Sequence, residues 1–446
     1  MSGNLERRRF LQLLGGAGAA AAASPLGQLG ARSNGAVPHA QEGAGAWPSV
    51  PPTLFQPDPS LPDPEFFAAL RGEFLFPREI AYCNTGTLGA CPREVLETLT
   101  HRLQTLEEEL PDWPYLEPNG EPLTGYQPLE PHRSLAGRIL NAPAQEIAIT
   151  QNATMGCSFL ANGIELEPGD EVLSTDQEHS GGIGGWRLRA ARHGVVLREL
   201  HLDGAVADGP EGVVRLFADA ITPRTKVLAF SHITSAYGIL LPAKELCDLA
   251  RSRGIVSAVD GAQSAGQIEV DVKEMGCDAY VTSPHKWLLA PKGTGILYIR
   301  DEAQPLFWNT LASGRIDRDV PGAFRFMQHG TGSPAIMHGL SAAIAFMERA
   351  GIERIARWNR MLTDRLREGL ESIPGVIFFS PRDPSFAAGI TTFGVEGVDG
   401  RELQEALWAR GIRARAQSGE RVRLSAHLYV SPEDIDRALE VTAALA

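Results

Sequence analysis

Ser283-Pro284-His285-Lys286-Trp287, followed by Pro291-Lys292-Gly293-Thr294-Gly295, is the stretch whose reading decides the fold. Its lysine stands between a histidine and a tryptophan. A short apolar run, Ala279-Tyr280-Val281-Thr282, precedes it and reads as a strand that ends in a turn at Pro284. A lysine at the mouth of an α/β sheet can form a Schiff base with an aldehyde cofactor. Taken alone, such a lysine is ordinarily a surface residue on a loop. The upstream stretch Asp260-Gly261-Ala262-Gln263 changes that reading. It follows the apolar run Ile255 to Val259, so Asp260 lies at the carboxyl end of another strand. Open α/β sheets bind their ligands at such ends. A carboxylate there can keep a pyridinium nitrogen protonated, so that the ring acts as an electron sink.

On these residues the chain resembles the class V aminotransferase family, pyridoxal-phosphate (PLP) enzymes of fold type I. His285-Lys286-Trp287-Leu288 with Pro291-Lys292-Gly293-Thr294-Gly295 most resembles its isopenicillin-N-epimerase-like branch. The likeness covers about residues 76–446 and implies an α/β fold. The large domain would hold a mostly parallel sheet and the C-terminal domain would be smaller and α+β.

Composition agrees with an ordinary large globular chain: 446 residues, 43% hydrophobic and 21% charged. The formal net charge is −13, from 41 basic against 54 acidic residues. With no long basic run, nucleic-acid binding is not expected. Five cysteines, Cys83, Cys91, Cys157, Cys247 and Cys277, are scattered without a CxxC. That pattern gives neither a disulfide framework nor a zinc or redox motif.

The first residues read as a targeting segment. Arg7-Arg8-Arg9-Phe10-Leu11 fits a twin-arginine export signal, with Glu6 and Gln12 departing from the usual flanks. The run from Leu13 to Ala23 is too short and too rich in Gly and Ala for a transmembrane span. Export in the folded state, to the periplasm or the cell exterior, is the expectation. An uncleaved signal would retain the protein at the membrane.

The expected organisation is a signal and linker over 1–45, an N-terminal arm over 46–75, a PLP-binding domain over 76–330 and a small domain over 331–446. Strand-like runs at 147–150, 171–174, 195–200, 227–230, 255–259, 280–282 and 296–299 alternate with helical stretches such as Leu241 to Arg253. This alternation argues a mostly parallel sheet covered by helices. After Gly332 the pattern changes to two long helices, about 335–350 and 352–371. Strands follow at 375–379, 390–394 and 422–425. A last helix from Pro432 has Ser431 as its N-cap.

Thr150-Gln151-Asn152-Ala153-Thr154 follows a strand and opens a helix, and helix N-termini hold phosphate. The Ala153 and Thr154 amides are expected to point at that phosphate. By resemblance, His179 stacks on the cofactor ring, Gln263 reaches its phenolic oxygen, and Ser283 and His285 reach its phosphate. Asp260 pairs with its ring nitrogen, and Lys286 forms the Schiff base. Gly330-Thr331-Gly332-Ser333 resembles the segment by which Thr331 reaches the neighbouring subunit's phosphate, which implies a homodimer. Arg423 matches the arginine that receives a substrate α-carboxylate, with Arg413, Arg415 and Arg421 as competitors. Asn84, in Ile80-Ala81-Tyr82-Cys83-Asn84, is a further candidate on the substrate path, with Thr85 beside it.

The activity implied is transaminase or epimerase chemistry on an amino acid, with Lys286, His179 and Asp260 as the catalytic set. A PLP-dependent C–S lyase is the alternative within the family. A nucleophilic cysteine of the desulfurase kind is not available after Cys277. An exported PLP-binding protein without catalysis is the reading from another class.

Overall fold

The computed structural model describes residues 54–112, 129–311 and 320–446. The twin-arginine stretch and most of the linker lie outside the described residues. Among the described residues no helix is long and apolar enough to cross a membrane.

Seven strands make the main sheet: β2 (Ile147–Thr150), β3 (Glu171–Thr175), β4 (Val196–Leu200), β5 (Thr225–Ser231), β6 (Val256–Asp260), β7 (Ala279–Thr282) and β8 (Gly295–Ile299), in the spatial order β2-β8-β7-β6-β5-β3-β4. The short β1 (Ala81–Tyr82) lies outside this sheet. Every residue of β2, β3, β7 and β8 is buried, as expected for strands with helices on both faces. Four of the six strand pairs are parallel. Strand β8 runs against both of its neighbours, β7 and β2. The reason lies in the connection from β7 to β8. It carries Lys286 and contains no helix, so the chain returns beside the strand it has just left, whereas a parallel return needs a crossover. Because β2 and β7 both oppose β8, β2 points the same way as the parallel strands. The ends of β2, β3, β5, β6 and β7 therefore open on one edge.

The C-terminal part carries the helices Pro334–Ala350 and Ile352–Glu371 and an antiparallel sheet of four strands. These are β9 (Val376–Phe378), β10 (Thr391–Val395), β12 (Arg415–Ala416) and β13 (Val422–Leu424), ordered β12-β13-β10-β9. Beside them β11 (Ile412–Arg413) pairs in parallel with β1. A bridge between Asn84 and Ser425 continues this join. Residues 81–84 are thus stitched to the C-terminal sheet region, although they precede the main sheet in sequence. The last helix, Pro432–Leu445, starts with a capping box. Asp434 N–H donates to Ser431 Oγ, and Ser431 N–H donates to the Asp434 carboxylate.

Candidate active site

One cleft opens at the ends of these strands. It is lined by Gly86, Thr87, Asn152, Ala153, Thr154, His179, Gly182, Ser235, Asp260, Ala262, Gln263, Ser283, His285, Lys286, Arg415 and Arg423. Eight of the predicted cofactor-site residues, and Arg423 from the C-terminal sheet, meet there.

Asp260 ends β6, and its Oδ1 accepts the Ala262 N–H at 2.9 Å. Lys286 sits on the turn after β7 and is pushed down to about 8. Burial is the main cause; Asp260 opposes it, and Arg423 and Arg415 add to it. A substantial fraction of the lysine is therefore neutral near pH 8 and can act as a base or nucleophile there.

His179 caps the helix Ser180–His193: its Nδ1 accepts the Gly181 N–H at 3.0 Å. The ring proton of the neutral form is thereby fixed on Nε2. Burial and then Lys286 lower its basicity, which favours the neutral ring. His179 follows Glu178, which sequence reasoning did not single out. The Glu178 carboxylate accepts from Thr175 Oγ1 at 2.6 Å, from Ser231 Oγ at 2.6 Å and from Ser231 N at 3.2 Å. It ties the ends of β3 and β5 together directly before the histidine. Burial pushes it up to about 7.

At the phosphate end, Asn152 caps the helix Ala153–Gly163 by accepting the Met155 N–H at 2.9 Å. Ala153 N–H donates to Ser283 Oγ at 3.0 Å, because the turn after β7 lies against the first turn of this helix. The Ser283 hydroxyl hydrogen is left to point elsewhere. Thr154 and His285 line the same end. His285 Nδ1 donates to the Thr294 carbonyl at 3.4 Å. Thr331 is exposed and is not among the residues lining this cleft.

Arg423 is 4% exposed, yet all its hydrogen bonds go to neutral oxygens. These are Ser235 O at 2.7 Å, Thr87 Oγ1 at 2.7 Å and Asn84 Oδ1 at 3.3 Å. Its Nε is buried without a partner. Burial, then the neighbouring Arg415, pushes it down to about 10. A guanidinium held this way lacks an anion. Asn84 lies one step back from the cleft: it accepts from Thr87 Oγ1 at 2.8 Å and from Arg423. Thr85 is fully buried against Tyr429. Of the competing arginines, Arg415 lines the cleft and donates to Thr87 Oγ1 at 2.9 Å. Arg413 turns away to the Trp408 carbonyl, and Arg421 lies over the rings of Phe379 and Tyr237.

This donor set fits pyridoxal phosphate. A helix N-terminus, a serine hydroxyl and a cationic rim suit a phosphate; a carboxylate at a strand end suits a pyridinium; and a lysine of lowered basicity suits an aldehyde. The fold and site define a PLP-dependent enzyme of fold type I. The class V aminotransferase model matches residues 124–438, and the chain belongs to that family, in its isopenicillin-N-epimerase-like branch. It is 32% identical over 394 residues to isopenicillin N epimerase of Streptomyces clavuligerus, covering 84% of this chain and 97% of the relative. A probable cysteine desulfurase of Pyrococcus abyssi is 29% identical over 340 residues, 71% of this chain and 82% of the relative. Among solved structures, a cystine C–S lyase bound to its product cysteine persulfide aligns with a TM-score of 0.71 and 26% identity, over 82% of this chain and 97% of its own.

Proposed function

We propose that the protein acts on an α-amino acid, with Lys286 moving the Cα proton, and that the outcome is transamination or epimerisation. The observation that carries this reading is the pairing, in one cleft, of a lysine lowered to about 8 with a buried arginine that lacks an anion. When bound, pyridoxal phosphate supplies the electron sink that makes a Cα–H bond acidic. Asp260 holds the ring nitrogen protonated. Ser283, Thr154 and His285 hold the phosphate. Arg423 receives the substrate carboxylate through its planar fork and so aims Cα at Lys286. His179, neutral and with its proton on Nε2, stands on the rim as a second proton carrier. Two proton-transfer groups on different elements suit epimerisation, which needs a proton removed from one face and returned to the other.

A C–S lyase is the second reading, supported by the likeness to the cystine C–S lyase. All five cysteines are buried, so a desulfurase-type nucleophile has no support. The protein is further proposed to work as a homodimer, with Thr331 reaching the neighbouring subunit's phosphate site. Export in the folded state through the twin-arginine machinery completes the proposal.

The test is a screen of amino acids against the purified protein, with product analysis for keto acid, D-isomer and released sulfur. Borohydride reduction followed by peptide mapping should place the pyridoxyl group on Lys286. A label on another lysine would overturn the site. Sulfur release without keto acid or D-isomer would favour the lyase.

A further inference from the structure

The tryptophan that follows Lys286 has no part in the chemistry just described, yet it is fully buried and its one polar atom is committed. Trp287 Nε1 donates to Gln263 Oε1 at 2.8 Å. At the other end of the same amide, Gln263 Nε2 donates to the Gly86 carbonyl at 2.9 Å. An indole nitrogen can only donate and a carbonyl can only accept. Turning the amide over would set N–H against N–H and oxygen against oxygen. Each lost bond disfavours that arrangement by about tenfold. One Nε2 hydrogen remains, on a residue that is 3% exposed and lines the cleft with Gly86, Asp260 and Lys286.

The frame that holds the indole is rigid. His427 Nε2 donates to the Trp287 carbonyl at 2.9 Å, and the His427 ring stands edge-on to the indole with centroids 5.1 Å apart. Ile233, Ala388 and Ile390 complete a small apolar cluster around it. Gly266 has φ +91°, and a Cβ there would stand 2.6 Å from the Trp287 carbonyl carbon. Gln267 fixes the glutamine's own backbone: its Nε2 donates to the Gln263 carbonyl at 2.7 Å.

We infer that Trp287 is a positioning residue, which locks the Gln263 amide so that the cleft receives an N–H and never the oxygen, and thereby directs a donor at the phenolic oxygen of the bound cofactor. This rests on pyridoxal phosphate occupying the cleft. A donor there stabilises the phenolate and so favours the deprotonated cofactor. If the amide is free to turn, that help is diluted and the cofactor holds its proton to higher pH.

The experiment follows the visible absorption of the holoenzyme against pH. Trp287→Phe keeps a flat apolar ring and removes the donor. It should raise the titration midpoint by less than about one pH unit, because the Gly86 carbonyl still holds the other end of the amide. Gln263→Leu should raise it at least as far. In the Gln263→Leu background, Trp287→Phe should add nothing, because its effect runs through the amide. If Trp287→Phe fails to fold, placing the sulfur isostere 3-benzothienylalanine at 287 removes the N–H and keeps the shape. An unmoved midpoint in the loaded single variant overturns the role of Trp287 and leaves the cofactor reading standing. An equal shift in both backgrounds overturns it as well, since that marks a packing effect. A wild-type protein that takes up no pyridoxal phosphate overturns both.

Discussion

Gly182 lies against the carboxylate of Asp260: a Cβ at position 182 would stand 2.6 Å from Asp260 Oδ2. The helix Ser180–His193 can approach the end of β6 only because this residue has no side chain. Gly182→Ala must push aside either the helix or the carboxylate. Overpacking of this kind costs about 1–3 kcal/mol. Since Asp260 is proposed as the cofactor's ring partner, the variant should also retain cofactor poorly. Gly184, two residues on, meets nothing within 4 Å. Gly184→Ala should be neutral or stabilising by about 0.5–1 kcal/mol, through helix propensity. Urea unfolding and equilibrium dialysis of the two variants check this pair. Equal behaviour would contradict the close approach.

Cofactor uptake should report the basicity of Lys286 directly. An amine attacks an aldehyde in its neutral form. With Lys286 pushed down to about 8 in the free protein, the uptake rate should rise with pH to a midpoint near 8 and then level off. An ordinary lysine would give a rise continuing to about 10.4. Asp260 is the group that raises Lys286, so Asp260→Asn should move the midpoint to lower pH. The same variant should lose nearly all turnover while retaining some cofactor, because the ring nitrogen is no longer held protonated. Stopped-flow absorbance over a pH series gives the midpoints. A wild-type midpoint near ~10 would remove Lys286 from the role of a desolvated nucleophile.

The strands that carry the site were legible because buried parallel strands are continuous apolar runs, and each run ends at a polar residue on the cleft edge. Ile147–Thr150 and Ala279–Thr282 show this most plainly. Asp260 and Lys286 followed from their places at such ends. The pairing of Ala81–Tyr82 with Ile412–Arg413 left no trace, since two-residue strands carry no period. For the same reason Thr87, which bonds both Arg415 and Arg423, could not be placed beside them. Glu178 had one signal, its position directly before His179. The Gly181-Gly182 pair at a helix start was another, because glycine there costs stability unless something comes close.

The last helix provides a contrast outside the cleft. Ser431→Ala removes one half of a capping box and should cost about 1 kcal/mol of unfolding free energy. Cofactor affinity should stay unchanged, as Ser431 does not line the cleft. Thermal unfolding with and without pyridoxal phosphate separates the two effects. A variant that loses cofactor in proportion to stability would show that the helix is coupled to the site.

Arg423 and Arg415 stand in register on β13 and β12 and share the Thr87 hydroxyl, but their surroundings differ. Arg423 is buried with a partnerless Nε, whereas Arg415 is exposed at the rim. A carboxylate gains most from a desolvated, bidentate guanidinium. Arg423→Ala should therefore weaken amino-acid binding by about 2–5 kcal/mol while changing cofactor binding far less. Arg423→Lys should recover only part of the loss, because an ammonium cannot reproduce the fork. Arg415→Ala should cost less, as an exposed charge is screened. It should also raise the basicity of Lys286, since Arg415 is one of the charges lowering it. Titration of the holoenzyme spectrum with amino acid measures the binding losses, and the uptake midpoint reads the change at Lys286. If Arg415→Ala abolishes binding while Arg423→Ala leaves it intact, the α-carboxylate belongs to Arg415, and the buried arginine is a structural cation held by Ser235, Thr87 and Asn84.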